Sequence, residues 1–180
     1  MRVISGQARG RILKAPKGFA TRPTSDRVKE AIFNVLSSKI AGSAVLDVFA
    51  GTGGLGIEAL SRGAEHAVFI EKNREAWLTV QKNLDITGFS KYAQVFLGDF
   101  ALILSRLKKK FDLVFLDPPY NKNLIQPAVS LIIGLGLLKD YGVIIVETNS
   151  KLREQPELAE ITLVKESVYG DTAVLYYQFC

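Results

Sequence analysis

The tetrad Asp117-Pro118-Pro119-Tyr120 carries the clearest chemical signal in the sequence. The Asp117 carboxylate and the Pro118 carbonyl supply two hydrogen-bond acceptors, and the two prolines fix φ and remove backbone donors, so the corner is stiff. Such a corner can accept both N–H hydrogens of an amino group on an aromatic ring, which turns the nitrogen lone pair towards an electrophile. Asp117 can then take the released proton, and Tyr120 offers a face on which a base can stack. A rigid turn without any chemistry is the alternative interpretation.

A glycine-rich turn lies upstream, where glycines at 51, 53 and 56 satisfy the pattern GxGxxG. That pattern occurs at strand-to-helix junctions that bind dinucleotides and related ligands. Asp47 precedes Gly51 by four residues, a position from which a carboxylate can attract the ammonium of a methionine group. We therefore expect S-adenosylmethionine as the cofactor. A nicotinamide cofactor and a dehydrogenase remain an alternative, although they leave the tetrad unexplained.

Two more acids end the next two predicted strands. Glu71 can accept hydrogen bonds from the hydroxyls of a ribose, and Asp99 can accept one from an adenine amine. Ligands of open parallel sheets bind at the carboxyl ends of the strands, so we expect Asp47, Glu71 and Asp99 to share one site. The other expected cofactor contacts flank these acids and the turn: Phe49, Gly51, Thr52, Gly53, Lys72 and Phe100. The sequence contains no Cys/His cluster, so we expect no metal site.

Short apolar runs alternate with helix-like segments from residue 44 to residue 146. Uninterrupted apolar runs suit strands that are buried on both faces of a parallel sheet. Two later segments, 160–168 and 173–179, are joined by Tyr169-Gly170-Asp171-Thr172 and predict an antiparallel pair. The expected fold is therefore α/β and Rossmann-like, with a seven-stranded, mostly parallel sheet that ends in an antiparallel strand pair. The strands are expected at 44–48, 67–70, 94–97, 113–116 and 143–146, with helices ending near 62 and spanning 73–87, 100–108 and 123–137.

The basic residues are concentrated in residues 1–40, which carry nine Lys or Arg against two acids, a net charge of +7. The rest of the chain carries 14 basic and 16 acidic residues, a net charge of −2. We predict a basic N-terminal extension over 1–40, formed by a hairpin and a helix, joined to a catalytic domain over 41–180. Such a segment is typical of a contact with a phosphate backbone, and a solvated tail is the alternative.

The composition limits the class of protein. Hydrophobic residues make up 48% of the chain and charged residues 23%, as in ordinary globular proteins. Cys180 is the single cysteine, so an internal disulfide is excluded. The longest apolar run, 131–138, is too short to span a membrane, and the first residues lack the apolar segment of a signal peptide. We expect a cytoplasmic protein.

Several segments together resemble the RsmD family of bacterial rRNA guanine-N2 methyltransferases, over essentially the whole chain. Besides the tetrad and the glycine turn, they are Arg2-Val3-Ile4-Ser5-Gly6, Arg9-Gly10-Arg11, Arg22-Pro23-Thr24-Ser25-Asp26-Arg27-Val28-Lys29-Glu30, Phe33-Asn34 and Tyr169–Thr172. Lys29 is the one departure noted, where the family would have Arg, and we expect it on the surface.

The resemblance implies methylation of the exocyclic N2 amine of one guanine in 16S rRNA, on the small ribosomal subunit or an assembly intermediate, by a monomer. It assigns Asp47, Gly51, Gly53, Glu71 and Asp99 to the cofactor and Asp117–Tyr120 to the guanine amine. Thr24 and Arg27 would close over the site, and the basic arm that holds RNA would include Arg9, Arg11 and Arg22.

Other functions remain open at this point. The nearest is an amino-methyltransferase acting on adenine or cytosine of DNA or of another RNA, although no separate sequence-reading domain is evident in the chain. Methylation of a protein glutamine is more distant, since that chemistry more often has Asn in place of Asp117. A non-catalytic RNA-binding protein would have no use for the intact tetrad.

Overall fold

A seven-stranded sheet with helices on both faces forms the body of the protein. The computed structural model describes residues 1–15, 25–119, 122–152 and 154–180, so Arg22, Thr24 and Tyr120 lie outside the described residues. The strands are β1 Ala44–Asp47, β2 His66–Glu71, β3 Ala93–Leu97, β4 Phe111–Leu116, β5 Leu138–Asn149, β6 Ile161–Tyr169 and β7 Thr172–Phe179. The helices are α1 Asp26–Val35, α2 Ser37–Ile40, α3 Gly54–Ser61, α4 Arg74–Thr87, α5 Phe100–Leu104 and α6 Ile125–Gly134, with a short 3₁₀ turn at Ser90–Tyr92.

The strand order is β3-β2-β1-β4-β5-β7-β6. Strands β1 to β5 are parallel, whereas β7 runs antiparallel to both β5 and β6. This arrangement confirms the predicted fold class.

Each central strand contributes side chains to two separate apolar cores. Val45 and Phe115 face the core that also contains residues of α1, α3 and α4, while Leu46 and Val114 face the core built on α5 and α6. Because both faces are covered, the strands need no polar positions, which explains the uninterrupted apolar runs. Strand β3 lies at the edge of the sheet and is only partly buried.

Two predicted boundaries are wrong. The helix expected over 123–137 ends at Gly134, because Gly136 at φ +64° turns the chain and Leu138 begins β5 by pairing with Phe111. The helix expected to reach 108 ends at Leu104. In both places the apolar composition continues past the end of the helix, so periodicity alone did not mark it.

The first residues form a closed loop rather than a regular hairpin. Arg2 and Ile12 make one isolated antiparallel bridge, and the Leu13 amide donates to the Met1 carbonyl at 3.0 Å. Helix α1 begins after Ser25, whose hydroxyl accepts a hydrogen bond from the Val28 amide at 3.2 Å. The described part of 1–40 shares an apolar core with the sheet, and the domain boundary at 40 stays a prediction.

Among the described residues, no helix combines the length and apolarity needed to cross a bilayer. The same part of the chain holds no group of three or more His, Cys, Asp or Glu side chains placed to bind a metal ion.

Candidate active site

Four acids lie at the carboxyl ends of four adjacent strands. Asp47 is level with Phe69 on one side and with Phe115 on the other, and Phe115 is level with Ile145. Because side chains alternate between faces along a strand, Glu71 in β2 and Glu147 in β5, each two positions beyond a residue level with Asp47, point to the same face as Asp47. Asp117 directly follows the last residue of β4. The four acids are Asp47, Glu71, Asp117 and Glu147.

Asp47 is the most deeply buried member of this row, with an exposed fraction of 1%. Its Oδ2 accepts a hydrogen bond from the Gly56 amide at 3.1 Å. Burial, with smaller contributions from the charges of Asp117 and Glu71, raises the pKa of Asp47 to about 7 against the lowering effect of the Gly56 hydrogen bond. A cation beside Asp47 would offset this cost, as expected for a group that binds an ammonium.

The glycine turn lies directly above Asp47, and its three glycines have different reasons to be glycine. Gly51 has φ +55° and open space where a Cβ would stand, so a ligand can approach its backbone. Gly53 has φ +79° and caps α3. A Cβ on Gly56 would lie 2.3 Å from the Phe69 ring, so this glycine allows α3 to pack closely against β2.

Glu71 holds the glycine turn in place. Its Oε2 accepts a hydrogen bond from the Gly51 amide at 2.8 Å, and its Oε1 accepts one from the Asn73 amide at 2.7 Å. A carboxylate has about four acceptor positions, so both oxygens can still accept from a ligand hydroxyl. The partly exposed side chain leaves that side accessible.

The other predicted cofactor residues form a wall beside Glu71. Asp99 caps α5 by accepting a hydrogen bond from the Ala101 amide at 3.0 Å, and its Oδ2 lies 3.2 Å from Lys72 Nζ. The rings of Phe49 and Phe100 are in tilted contact, with their centroids 5.3 Å apart. Polar and aromatic groups are thus adjacent, as an adenine site requires.

Asn83 supports the turn from behind, and sequence reasoning missed it. This buried side chain donates to the Thr52 carbonyl at 2.8 Å and to the Lys14 carbonyl at 3.0 Å, and it accepts from the Lys14 amide at 2.8 Å. An amide next to Leu84 on the apolar face of α4 was the signal that could have revealed it.

The Asp117-Pro118-Pro119 corner lies beside the glycine turn. Asp117 is close enough to Asp47 for its charge to raise the pKa of the buried carboxyl. Pro118 is buried and Pro119 is exposed. A cavity of about 250 Å³ adjoins the corner and is lined by both prolines and by the end of β5, residues 147–149. Glu147, in this lining, is a second residue that the sequence analysis missed, although it ends its strand with an acid as Glu71 does.

The expectation that Lys29 lies on the surface is wrong. Its side chain has no exposed area, its Nζ lies 3.4 Å from Glu58 Oε2, and it donates a hydrogen bond to the Arg2 carbonyl. Burial lowers the pKa of Lys29, and Glu58 opposes that shift. The exposed basic residues of the described N-terminal segment include Arg9, Arg11 and Arg27.

Glu58 joins the N-terminal segment to α3. It accepts hydrogen bonds from the Ile4 amide at 2.8 Å, the Ser5 amide at 3.0 Å and Arg62 Nε at 2.8 Å. Since α3 also carries Gly56, the basic segment and the glycine turn are attached to the same helix.

The strand order, the antiparallel last pair and the position of the site at the carboxyl ends of the parallel strands define a class I methyltransferase fold. A solved structure of the Escherichia coli protein yhhF, provisionally assigned as a methyltransferase, matches with a TM-score of 0.89 and 36% identity, covering 99% of this chain and 97% of that one.

Residues 1–178 match the family model described as "Conserved hypothetical protein 95". The chain belongs to this family, the RsmD family, which confirms the resemblance. It is 37% identical to "Ribosomal RNA small subunit methyltransferase D" of Escherichia coli, over 99% of this chain and 89% of the relative. It is 40% identical to YlbH of Bacillus subtilis, provisionally named as an rRNA methyltransferase, over 99% of this chain and 98% of that relative.

Proposed function

We propose that this protein transfers a methyl group from S-adenosylmethionine to the exocyclic N2 amine of a guanine in 16S rRNA. The observation that carries the proposal is the proximity of Asp117 to Asp47, since it brings an acceptor-rich corner beside a glycine turn suited to the cofactor. The names of the Escherichia coli and Bacillus subtilis relatives support rRNA as the substrate.

The residues present fit the cofactor. Asp47 would hold the ammonium, since it is a buried carboxyl whose raised pKa a cation would lower. Backbone at Gly51, Thr52 and Gly53 would approach the ligand through the open space above Gly51. Glu71 would accept from the ribose, Asp99 from the adenine amine, and Phe49, Phe100 and Lys72 would complete the wall. When bound, S-adenosylmethionine supplies an electrophilic methyl group on a sulfonium.

The chain's own groups prepare the nucleophile. The Asp117 carboxylate and the Pro118 carbonyl accept the two amine hydrogens, so the nitrogen lone pair is directed out of the ring plane. Pro118 and Pro119 keep these acceptors fixed, which removes the entropy cost of ordering them during the reaction. Asp117 takes the proton that leaves as the new N–C bond forms. Tyr120 would stack on the base.

The basic segment would hold the RNA. A paired guanine must leave its helix before its N2 can enter the corner, so the flanking backbone needs support. Exposed Arg9, Arg11 and Arg27 supply positive charge for phosphates, and we assign the same role to Arg22, with Thr24 closing over the site. The substrate would be the small subunit or its assembly intermediate, and the enzyme would act as a cytoplasmic monomer.

Calorimetry and methyl transfer together test the proposal. S-adenosylhomocysteine should bind and NAD should not. A nicotinamide-dependent dehydrogenase would show the reverse. Labelled methyl from S-adenosylmethionine should enter small subunits prepared from a strain that lacks the enzyme, and nucleoside analysis should identify N2-methylguanosine. N6-methyladenosine or N4-methylcytosine would replace the proposal with the alternative of an adenine or cytosine amino-methyltransferase.

Asp117→Ala tests the mechanism. We expect transfer to fall by about 10³-fold or more, since both the proton acceptor and one orienting acceptor are lost. Binding of S-adenosylhomocysteine and of RNA should stay near the wild-type values. Asp140→Ala, an exposed acid before the β5 segment that reaches the site, serves as the matched control. Undiminished transfer by Asp117→Ala would exclude this mechanism.

A further inference from the structure

Glu147 is a buried carboxylate to which the mechanism above gives no role. Only 6% of it is exposed, and acidic side chains are rarely buried to this extent without a specific reason. It follows four buried apolar residues of β5 and precedes the equally buried Thr148. A carboxylate at the end of a parallel strand lies where ligands of such sheets bind.

The strand register brings Glu147 to the reacting corner. Phe115 is paired with Ile145 and Leu116 with Val146, so the same register continued by one residue sets Asp117 beside Glu147. Neighbouring strands lie about 4.8 Å apart, so the two residues are near neighbours at this end of the sheet. A base whose amine meets Asp117 therefore has Glu147 as its next neighbour.

A cavity beside Pro118, Pro119 and Glu147 has room for a ring. The cavity of about 250 Å³ reaches from Pro118 and Pro119 to residues 147–149. Pockets for drug-sized ligands are usually about 300–1,000 Å³, so this cavity suits a single base rather than a larger group.

Guanine differs from the other amine-bearing bases at the ring nitrogen next to its amine. Guanine N1 carries a hydrogen and donates, whereas the ring nitrogens next to the amines of adenine and cytosine are acceptors. The guanine amine is flanked by two ring nitrogens, N3, which accepts, and N1, which carries a hydrogen. If Asp117 and Pro118 accept the amine hydrogens, N1–H is the neighbouring donor that guanine alone offers. A carboxylate accepts from N1–H and repels a ring nitrogen that has only a lone pair, and its several acceptor positions allow this beside contacts within the protein.

We propose that Glu147 determines the specificity for guanine by accepting the N1–H hydrogen bond of the target base. This inference rests on the proposed function and adds to it the residue that excludes adenine and cytosine.

The test compares Glu147→Gln with wild type on an rRNA fragment. The fragment carries either guanosine or 2-aminopurine at the position that the wild-type enzyme methylates. 2-Aminopurine keeps the amine but presents an acceptor at N1. Wild type should prefer guanosine by about 100-fold in kcat/KM, because a hydrogen-bonding site rejects an analogue that presents a lone pair where guanosine presents a hydrogen. Glu147→Gln should lose about 30-fold on guanosine, and its preference should shrink at least about tenfold, because a glutamine amide can donate to N1.

2-Aminopurine also lacks the 6-oxo group of guanine, but this difference affects wild type and Glu147→Gln alike. The change in the guanosine to 2-aminopurine ratio between the two proteins therefore isolates the N1 contact. Glu160→Gln, an exposed acid at the opposite edge of the sheet, is the control and should keep the wild-type ratio. S-adenosylhomocysteine binding and thermal unfolding show whether Glu147→Gln is folded. Glu147→Asp is a second variant, which retains the negative charge. Glu147→Asp should keep a preference for guanosine.

An unchanged ratio in folded Glu147→Gln would overturn the inference, because a merely structural role predicts an equal loss on both bases. If wild type itself makes no N2-methylguanosine, the proposed function fails first. The two failures are therefore distinguishable.

Discussion

Asp47, at the end of β1, and Glu58, on α3, are two carboxylates that are almost equally buried but differ in how many hydrogen-bond donors and cations surround them. Their exposed fractions are 1% and 0%. Glu58 accepts hydrogen bonds from two backbone amides and from Arg62, and it forms an ion pair with Lys29. Within the described residues, Asp47 has one hydrogen-bond donor, the Gly56 amide.

The difference separates a structural acid from a binding acid. Glu58 is surrounded by donors that come with the fold, so its charge holds the N-terminal segment on α3. Asp47 is kept in a place where its charge is poorly compensated, which raises its pKa to about 7. Poorly compensated buried charges are typical of functional sites, because a ligand can supply the missing partner. The two acids should therefore respond to mutation in opposite ways.

The largest effect is expected for Glu58→Ala. Removal of this carboxylate leaves the buried Lys29 ammonium without its counter-charge and the Ile4 and Ser5 amides without their acceptor. We expect the free energy of unfolding to fall by about 3–5 kcal/mol, as for other buried ion pairs that lose one partner. Urea denaturation measures it, with Glu65→Ala, at an exposed position, as the control. A loss below about 1 kcal/mol would contradict the structural role.

Asp47→Asn should have the opposite effect on stability. Between about pH 4 and pH 7 the folded protein binds more protons at Asp47 than the unfolded chain does, so its free energy of unfolding falls as the pH rises through that window. Asparagine has no charge to bury and can still accept from Gly56, so we expect the ligand-free variant to be about 1–4 kcal/mol more stable than wild type at pH 8.

The same variant should bind S-adenosylhomocysteine about 100-fold more weakly, since a buried charge-assisted bond to the ammonium is lost. Calorimetry measures the affinity, and Asp140→Asn is the control. A variant that is destabilised and binds normally would reverse the roles assigned to the two acids.

The smallest effect is the pH dependence of cofactor binding. An ammonium favours the ionised form of Asp47, whose pKa is raised to about 7 in the ligand-free protein. The affinity for S-adenosylhomocysteine should therefore rise at least about tenfold between about pH 5.5 and pH 7.5 and then level off. Asp47→Asn should show a much flatter profile over this range. A flat wild-type profile would mean that Asp47 is already ionised at the lower pH.

Much of the fold could be predicted because strand and helix patterns are local. Uninterrupted apolar runs identified β1 to β5, and the glycines after Asp47 identified the first strand-to-helix turn. The errors fall where local patterns do not change at a boundary, as between Gly134 and Leu138. The acids Asp47, Glu71 and Asp117 could be predicted to lie together because each lies at the end of a predicted strand or directly after one, and the shared edge of a parallel sheet brings such positions together.

Contacts between distant segments were beyond this kind of prediction. Lys29 has the appearance of a surface residue in its sequence context, and only the packing of α1 against α3 buries it beside Glu58. Asn83 meets Lys14 across 69 positions, and nothing near either residue indicates the partner.

The sequence by itself determined the order of strands and helices, the basic N-terminal segment, and the residue types of the Asp117 corner and the glycine turn, because residue type and short spacing specify these features. Only the tertiary structure decided which acids face one another and which are compensated. Burial and strand register join residues far apart in the chain. Burial gave Asp47 its raised pKa, tertiary packing gave Glu58 its partners, and strand register brought the ends of β4 and β5 together.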